Sequence, residues 1–389
     1  MQRSACRGGS RLSLNKAIVT TAFARYPRNA VGVTWAFLQW ALGFRSLGWD
    51  TWLVEELPAS AYVDADGNRV SSDRAVNVVR WREAVEEFGW SGKATLFQEG
   101  KDEEWEELRD FAREADLILN ISGVCRRRDL LALPKRRIYL DLDPGFTSIW
   151  TRKYRCDLGL GGHDLFFTVG LRMDAPGVRA PRLGVRWLPT LPPVSLDYWS
   201  GVPGGGTHWT TVTHWRAYPE IRWGRWNFTN KAPEWEKFLD LPRLAGVPFR
   251  IASDLAEDDI AQRFRAAGWD LVPSHAVASD WRRYRDFLAG SRGEFSVAKG
   301  GYRISRCGWF SDRSACYLSL AKPVVLQDTG WSLQIPSGRG LHSFSSIDDA
   351  VRAIEAVEAH YFEEAKAARA FAEERLDARK VVGGLLERL

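Results

Sequence analysis

The sequence predicts an α/β protein built from two Rossmann-like domains in series, with a cleft between them and a final helical segment that crosses back to the first domain. Short apolar segments alternate with helix-period segments through both halves of the chain. Pro189-Thr190-Leu191-Pro192-Pro193 and Gly204-Gly205-Gly206 interrupt that alternation in the middle, and residues 347–389 read as nearly continuous helix. At 389 residues the chain exceeds one ordinary core, so two domains of about 150–200 residues each are expected.

Residues 1–16 read as a disordered tail: basic, but without the apolar core of a secretory signal. Residues 17–23 form the first expected strand. The loop Arg25-Tyr26-Pro27-Arg28-Asn29 leads into a helix over 31–47, where Trp35, Leu38 and Leu42 recur at helical spacing; Gly48 ends it, and a strand over 51–54 completes a βαβ unit. A charged helix over 102–115 and strands over 117–120, 137–140 and 164–168 fill out a first domain of residues 17–187. Residues 188–206 are the linker. The second domain, residues 207–365, is expected to hold strands at 209–213, 248–252, 269–272, 294–297 and 323–326, with helices at 257–267 and 280–288. Residues 366–389 return to the first domain, with an interruption at Gly383-Gly384. No internal repeat or low-complexity tract is present.

Composition narrows the function classes. With 45% hydrophobic and 26% charged residues and no apolar run of the ~18 residues a membrane span needs, a soluble protein without a membrane anchor is expected. Five scattered cysteines without a CxxC pair argue against a disulfide framework or a zinc site and fit a reducing cytoplasm. The net charge of +5 is interspersed rather than blocked: it suits an anionic ligand without identifying nucleic acid. The 19 tryptophans supply flat stacking surfaces, although most are expected in the core. The absence of GxGxxG after the first strand and of GxxxxGK[ST] disfavours a dinucleotide oxidoreductase and a P-loop NTPase.

In paired doubly wound domains the ligand lies between two sets of carboxyl strand ends. Ser311-Asp312-Arg313-Ser314 stands where a helix begins: Ser311 or Asp312 would cap it, its free N–H groups and positive end would face the cleft, and Arg313 would add a full charge for a diphosphate. An ordinary N-cap explains the same residues. Gln327 and Asp328 follow the next strand, where a sugar would meet hydrogen-bonding side chains; an Asp-Thr-Gly turn is the plain alternative.

The run Ser319-Leu320-Ala321-Lys322-Pro323-Val324-Val325, then Asp328-Thr329-Gly330, Ile335-Pro336, Gly338 and Gly340-Leu341, followed by the helix start Ser346-Ile347-Asp348-Asp349-Ala350, resembles the donor half of GT-B glycosyltransferases. Gly32 at the start of the first helix and Leu47-Gly48-Trp49-Asp50-Thr51-Trp52-Leu53-Val54 extend the resemblance to the first half, and the terminal helix is similar to the superfamily's crossing helix. Only residues 294–355 are specific in sequence. The Glu-x7-Glu pair of many retaining members is replaced by Gly308 and Cys316, and the early catalytic His of many inverting members is missing from Thr20-Thr21-Ala22-Phe23-Ala24-Arg25. Neither stereochemical class is indicated.

The resemblance implies a glycosyltransferase that moves a sugar from a nucleotide diphosphate donor, held mainly by the second domain, to a small-molecule acceptor on the first, with no metal and no further cofactor. Such a transfer needs a base for the acceptor hydroxyl and cations or amides for the departing diphosphate. Asp143, after a strand, is the first candidate base, although Asp-Pro-Gly is also a turn. His163 is the second, provided the loop of residues 147–162 folds over the cleft. His214 and Trp215 follow a second-domain strand, Lys231 comes soon after, and Lys299-Gly300-Gly301 would let a base or phosphate approach the backbone. Gly32 and Trp35 are the acceptor-side candidates. Rival readings are a nucleotide-sugar epimerase on the same scaffold, a non-catalytic binding protein of this fold, and a transferase acting on nucleic acid, the last not required by any feature. The donor base and sugar, the acceptor and the oligomeric state are not legible.

Overall fold

Seven short runs, most of them buried, align in parallel to form the first sheet: β1 (Lys16–Thr20), β2 (Asp50–Leu57), β3 (Ala94–Gln98), β4 (Leu117–Ile121), β5 (Arg137–Asp141), β6 (Leu165–Thr168) and β7 (Trp187–Pro189), in the order β3-β2-β1-β4-β5-β6-β7. This is a computed structural model, and it describes residues 14–25, 31–64, 68–99, 105–215, 219–255 and 259–389. Most of the amino-terminal tail, residues 26–29 of the first loop, 102–104 of the charged helix and 257–258 of a second-domain helix lie outside the described residues. Every residue of β4, Leu-Ile-Leu-Asn-Ile, is buried, as expected of a central parallel strand covered on both faces.

The second sheet is also parallel. It comprises β8 (Trp209–Thr213), β11 (Phe249–Ser253), β12 (Trp269–Pro273), β13 (Gly293–Ser296), β14 (Val324–Gln327) and β15 (Leu341–Phe344), ordered β12-β11-β8-β13-β14-β15. A separate antiparallel hairpin, β9 (Ile221–Trp223) and β10 (Trp226–Phe228), projects between β8 and β11 in the chain. Strands β3, β7, β9, β10 and β15 were not anticipated. They are three to five residues long, too short for alternation to stand out.

The helix Val31–Ser46 is mostly apolar because most of it, from Thr34 to Phe44, is buried. On its outer side lies the last helix, Ala378–Leu386: a Cβ on Gly43 would stand 2.6 Å from Val382 and 3.0 Å from the Ala378 carbonyl oxygen, so only glycine admits this approach. Backbone hydrogen bonds from Val194 to Leu376 and from Ala378 to Val194 fasten the return of the chain. The terminal segment is not one helix. It divides into Ile347–Ala359, opened by a capping box of Ser346 and Asp349, then Tyr361–Phe371, a π turn at Ala372–Leu376, and Ala378–Leu386. Gly383 and Gly384 lie inside the last of these rather than interrupting it, because buried Val381, Val382 and Leu385 hold that helix on its neighbours. Among the described residues no helix is long and apolar enough to cross a membrane.

Candidate functional site

The carboxyl ends of both sheets converge on one cavity of about 570 Å³. From the first domain it is lined by Ser122 after β4, Leu142 and Asp143 after β5, Val169 after β6, and one stripe of the helix Val31–Ser46: Gly32, Val33, Ala36, Phe37 and Trp40. Across from these stand Thr213 and His214 at the end of β8, Lys231, Lys299 and Tyr302 beyond β13, and Trp309, Phe310, Asp312 and Arg313. The first-domain wall is mostly apolar and the second-domain wall carries the cations.

Asp143 links the two walls. Its Oδ1 accepts a hydrogen bond from Lys299 Nζ at 2.9 Å and another from the Tyr302 hydroxyl, and Lys299 Nζ also reaches the Tyr302 oxygen at 3.2 Å. Behind it, buried Asp141 fixes the turn by accepting from the Asp143 amide at 3.0 Å, the Thr147 hydroxyl at 2.7 Å and the Thr168 hydroxyl at 3.1 Å. Burial pushes Asp141 up to about 6, against those hydrogen bonds. Tyr302 was not anticipated. Its ring stacks on Trp309 with centroids 4.6 Å apart and meets Phe146 edge-on, which aims its hydroxyl at Asp143.

Gly300 and Gly301 serve packing rather than a ligand: a side chain on the first would collide with Thr229, and on the second with Phe146 across the domain boundary. Lys231 donates to Thr213 Oγ1 at 3.0 Å, and burial, with Arg313 and Lys299 adding like charge, holds its amine well below the usual lysine range. His214 faces Asp254 at 3.9 Å; burial opposes, but contacts from His214, the Trp215 amide and Ser253 prevail and hold Asp254 down at about 2.

Arg313 departs from the expectation. Its guanidinium donates to Glu294 Oε1 at 2.5 Å, to Ser296 Oγ at 2.6 Å and to the Val212 carbonyl at 2.8 Å, and the residue is 9% exposed. Burial works against the charge, but the Glu294 carboxylate outweighs it and raises Arg313 above its ordinary value. The arginine is therefore a buried partner of Glu294 and only the edge of the cavity, not a cation left over for phosphate. Ser311 is the N-cap, accepting from the Ser314 amide at 3.3 Å, and Ser314 itself is fully buried away from the cavity. Asp312, in the first turn, lines the cavity, and burial raises its carboxyl despite Arg313.

Five other candidates lie away from the cavity. Gln327 bridges the Ala298 amide (2.9 Å) and Glu234 (3.1 Å) in the core. Asp328 accepts from the Gly330 amide at 2.8 Å and the Ser332 hydroxyl at 2.8 Å, which is the plain turn. Trp215 stacks on Trp235 inside the second domain, and Trp35 packs on Phe88 and Trp199, on the helix face turned from the cleft. His163 bonds Asn120 at 3.2 Å and the Leu160 carbonyl at 3.2 Å and lies against Tyr139. No residue of 147–162 lines the cavity: the Tyr139 hydroxyl binds the Leu158 carbonyl and draws that loop onto the first domain.

The loop after β1, where the resemblance places a histidine in many inverting members, is clasped by Glu55. Its carboxylate accepts from the Thr21 hydroxyl (3.0 Å), the Phe23 amide (2.8 Å) and the Arg25 amide (2.9 Å). Burial nevertheless pushes Glu55 up to about 7 from 4.5. A carboxyl raised in the folded state contributes stability that is fully present below the unfolded value of 4.5 and lost as pH rises through about 7. Glu55→Gln is thus expected to flatten the stability profile between pH 5 and 8, by an amount on the order of 3 kcal/mol across the window. Urea denaturation of both proteins at four pH values checks this, and parallel profiles would refute it.

No protein-family model matches this chain, and no curated protein is similar to it in sequence. Solved structures are similar in fold. Anabaena HepE in complex with UDP-glucose superposes with a TM-score of 0.55 at 12% identity, over 96% of this chain and 100% of that one. The same protein with UDP and glucose gives 0.52 over the same shares at 12% identity. TarM gives 0.51 at 10% identity, over 97% of this chain and 99% of that one. At such identities the likeness concerns architecture alone, and with the two parallel sheets and the cleft between their carboxyl ends it establishes that this chain has the GT-B fold.

Proposed function

We propose that the protein is a glycosyltransferase that moves a sugar from a nucleotide diphosphate donor to a small, largely apolar acceptor. The observation that carries this reading is the cavity itself: a cleft between opposed strand ends with buried-side cations on one wall, an apolar stripe on the other, and Asp143 between them. Its volume of about 570 Å³ suits a nucleotide sugar. HepE, of the same fold, is described with UDP-glucose bound.

In this reading the acceptor lies against Ala36, Phe37 and Val124 with its hydroxyl at Asp143. The carboxylate takes the hydroxyl proton, the oxygen forms a bond to the anomeric carbon, and the bond from that carbon to the diphosphate oxygen breaks with its electron pair leaving on phosphate. Lys231 faces that charge, with no metal assigned to it. A developing dianion raises the pKa of a depressed amine, so donor binding is expected to take up a proton at Lys231.

A thermal-shift screen of nucleoside diphosphates tests the donor site. One base should stabilise selectively, by about 2.7 kcal/mol at 100 times its dissociation constant. Lys231→Ala should weaken that diphosphate more than tenfold and the matching nucleoside less than threefold. Equal losses for both ligands would remove Lys231 from the phosphate site, and a wild-type protein indifferent to every diphosphate would remove the donor site.

A further inference from the structure

We infer that a second, separate site binds a ligand carrying two or more neighbouring phosphate groups. It is an open groove of about 520 Å³ lined by Arg172, Arg179, Arg225 and Arg306 together with Trp226, and no carboxylate lines it. Among the described residues none of the four arginines forms an ion pair. Four like charges around one groove repel one another, so their placement needs fixed supports, and the structure supplies them. Arg172 donates to the carbonyls of Arg306 (3.1 Å) and Pro176 (3.2 Å), and Arg179 donates to that of Ile304 (3.4 Å). The guanidinium carbons of Arg179 and Arg225 lie 4.1 and 4.7 Å from the centre of the Trp226 ring. Trp226 thus serves the arginines instead of offering a face to a nucleobase or sugar.

The chemistry selects the ligand. Planar guanidinium forks match phosphate oxygens in bidentate pairs, and several of them converging favour adjacent phosphates over a single carboxylate. The groove also joins the domains: Arg172 and Arg179 follow β6 of the first sheet, Arg225 and Trp226 belong to the β9–β10 hairpin, and Arg306 ends the helix Gly300–Ser305. That helix carries Tyr302, and Trp309, which stacks on Tyr302, lines the cleft. The backbone of Leu171 and Arg172 bonds to the carbonyls of Gly308 and Cys307 on the same stretch. A bound polyanion therefore braces the segment that presents Tyr302 to Asp143, from its far side.

The test is calorimetric titration of the full chain with inorganic tripolyphosphate, using wild type, Arg225→Glu/Arg306→Glu and the cleft variant Lys231→Ala. The double variant should weaken the groove's binding more than tenfold, while Lys231→Ala leaves it within twofold, so a failure of the donor-site reading does not disturb this result. Arg225→Ala alone, at an exposed hairpin position, should weaken binding severalfold and serves if the double variant does not fold. Sedimentation with vesicles containing cardiolipin, whose headgroup carries two phosphates, separates sources: co-sedimentation lost in the double variant assigns the groove to lipid headgroups, and none assigns it to soluble phosphates. Unchanged tripolyphosphate affinity in the arginine variants, or no binding by wild type, overturns the inference.

Discussion

Arg313→Ala is expected to lower the stability of the folded chain by about 3–5 kcal/mol, the cost of leaving one member of a buried ion pair without its partner. Glu294 is 0% exposed on β13, and its Oε2 has no hydrogen-bond partner, so the whole carboxylate depends on Arg313. Removing the guanidinium also strips partners from Ser296 and the Val212 carbonyl, both at the end of strands that bound the cleft. The pair is not thereby a net gain over an apolar core: the double variant Arg313→Met/Glu294→Leu should recover most of the loss. Chemical denaturation of the two single variants and the double variant measures this coupling. If Arg313→Ala cost less than about 1 kcal/mol while diphosphate affinity fell tenfold, the arginine would return to the ligand.

That arginine shows what a sequence leaves unsaid. Helix start, buried strand and cleft were legible from local pattern: the Ser311 cap, the all-apolar Val324-Val325-Leu326 and the helix start at Ser346 each follow from neighbours within four residues. The partner of Arg313 was not, because Glu294 lies 19 residues earlier, at the start of a separate strand. A buried glutamate within a strand needs a counter-charge. The signal was present in Glu294-Phe295-Ser296, although nothing local named which cation answers it. The same holds for Lys299-Gly300-Gly301-Tyr302, where the glycines drew the reading and the tyrosine faces the site. Glycine costs a helix about 1 kcal/mol relative to alanine, which favours an interruption at Gly383-Gly384, and packing on the helix Val31–Ser46 overrides it. Trp35 was placed at the acceptor because helical spacing does not say which face turns inward. The cleft takes Gly32, Ala36 and Trp40, one stripe, while Trp35 points to Phe88 and Trp199.

Asp143→Asn is expected to reduce glycosyl transfer by about 10²- to 10⁴-fold, the range for losing a positioned general base, while nucleoside diphosphate binding stays equal or tightens. The sign of the binding effect follows from charge. In the native cleft Lys299 is paired with Asp143, and replacing the carboxylate by an amide leaves the ammonium to add to the field of Lys231 on an anionic donor. An amide of the same shape still accepts from Tyr302 and Lys299, so the turn held by Asp141 should persist and the thermal midpoint should move little. Tyr302→Phe provides the complementary measurement. It removes one donor to Asp143 without removing the carboxylate, so it should lower turnover less than the asparagine variant and shift the pH profile of the reaction, since a hydrogen bond to the charged form favours that form. A structural tie between the domains would behave otherwise: Asp143→Asn would then depress the thermal midpoint, donor binding and transfer together, and Tyr302→Phe would leave the pH profile where it was. The two patterns are separable on the same preparations, and only the first is compatible with Asp143 taking the acceptor's proton.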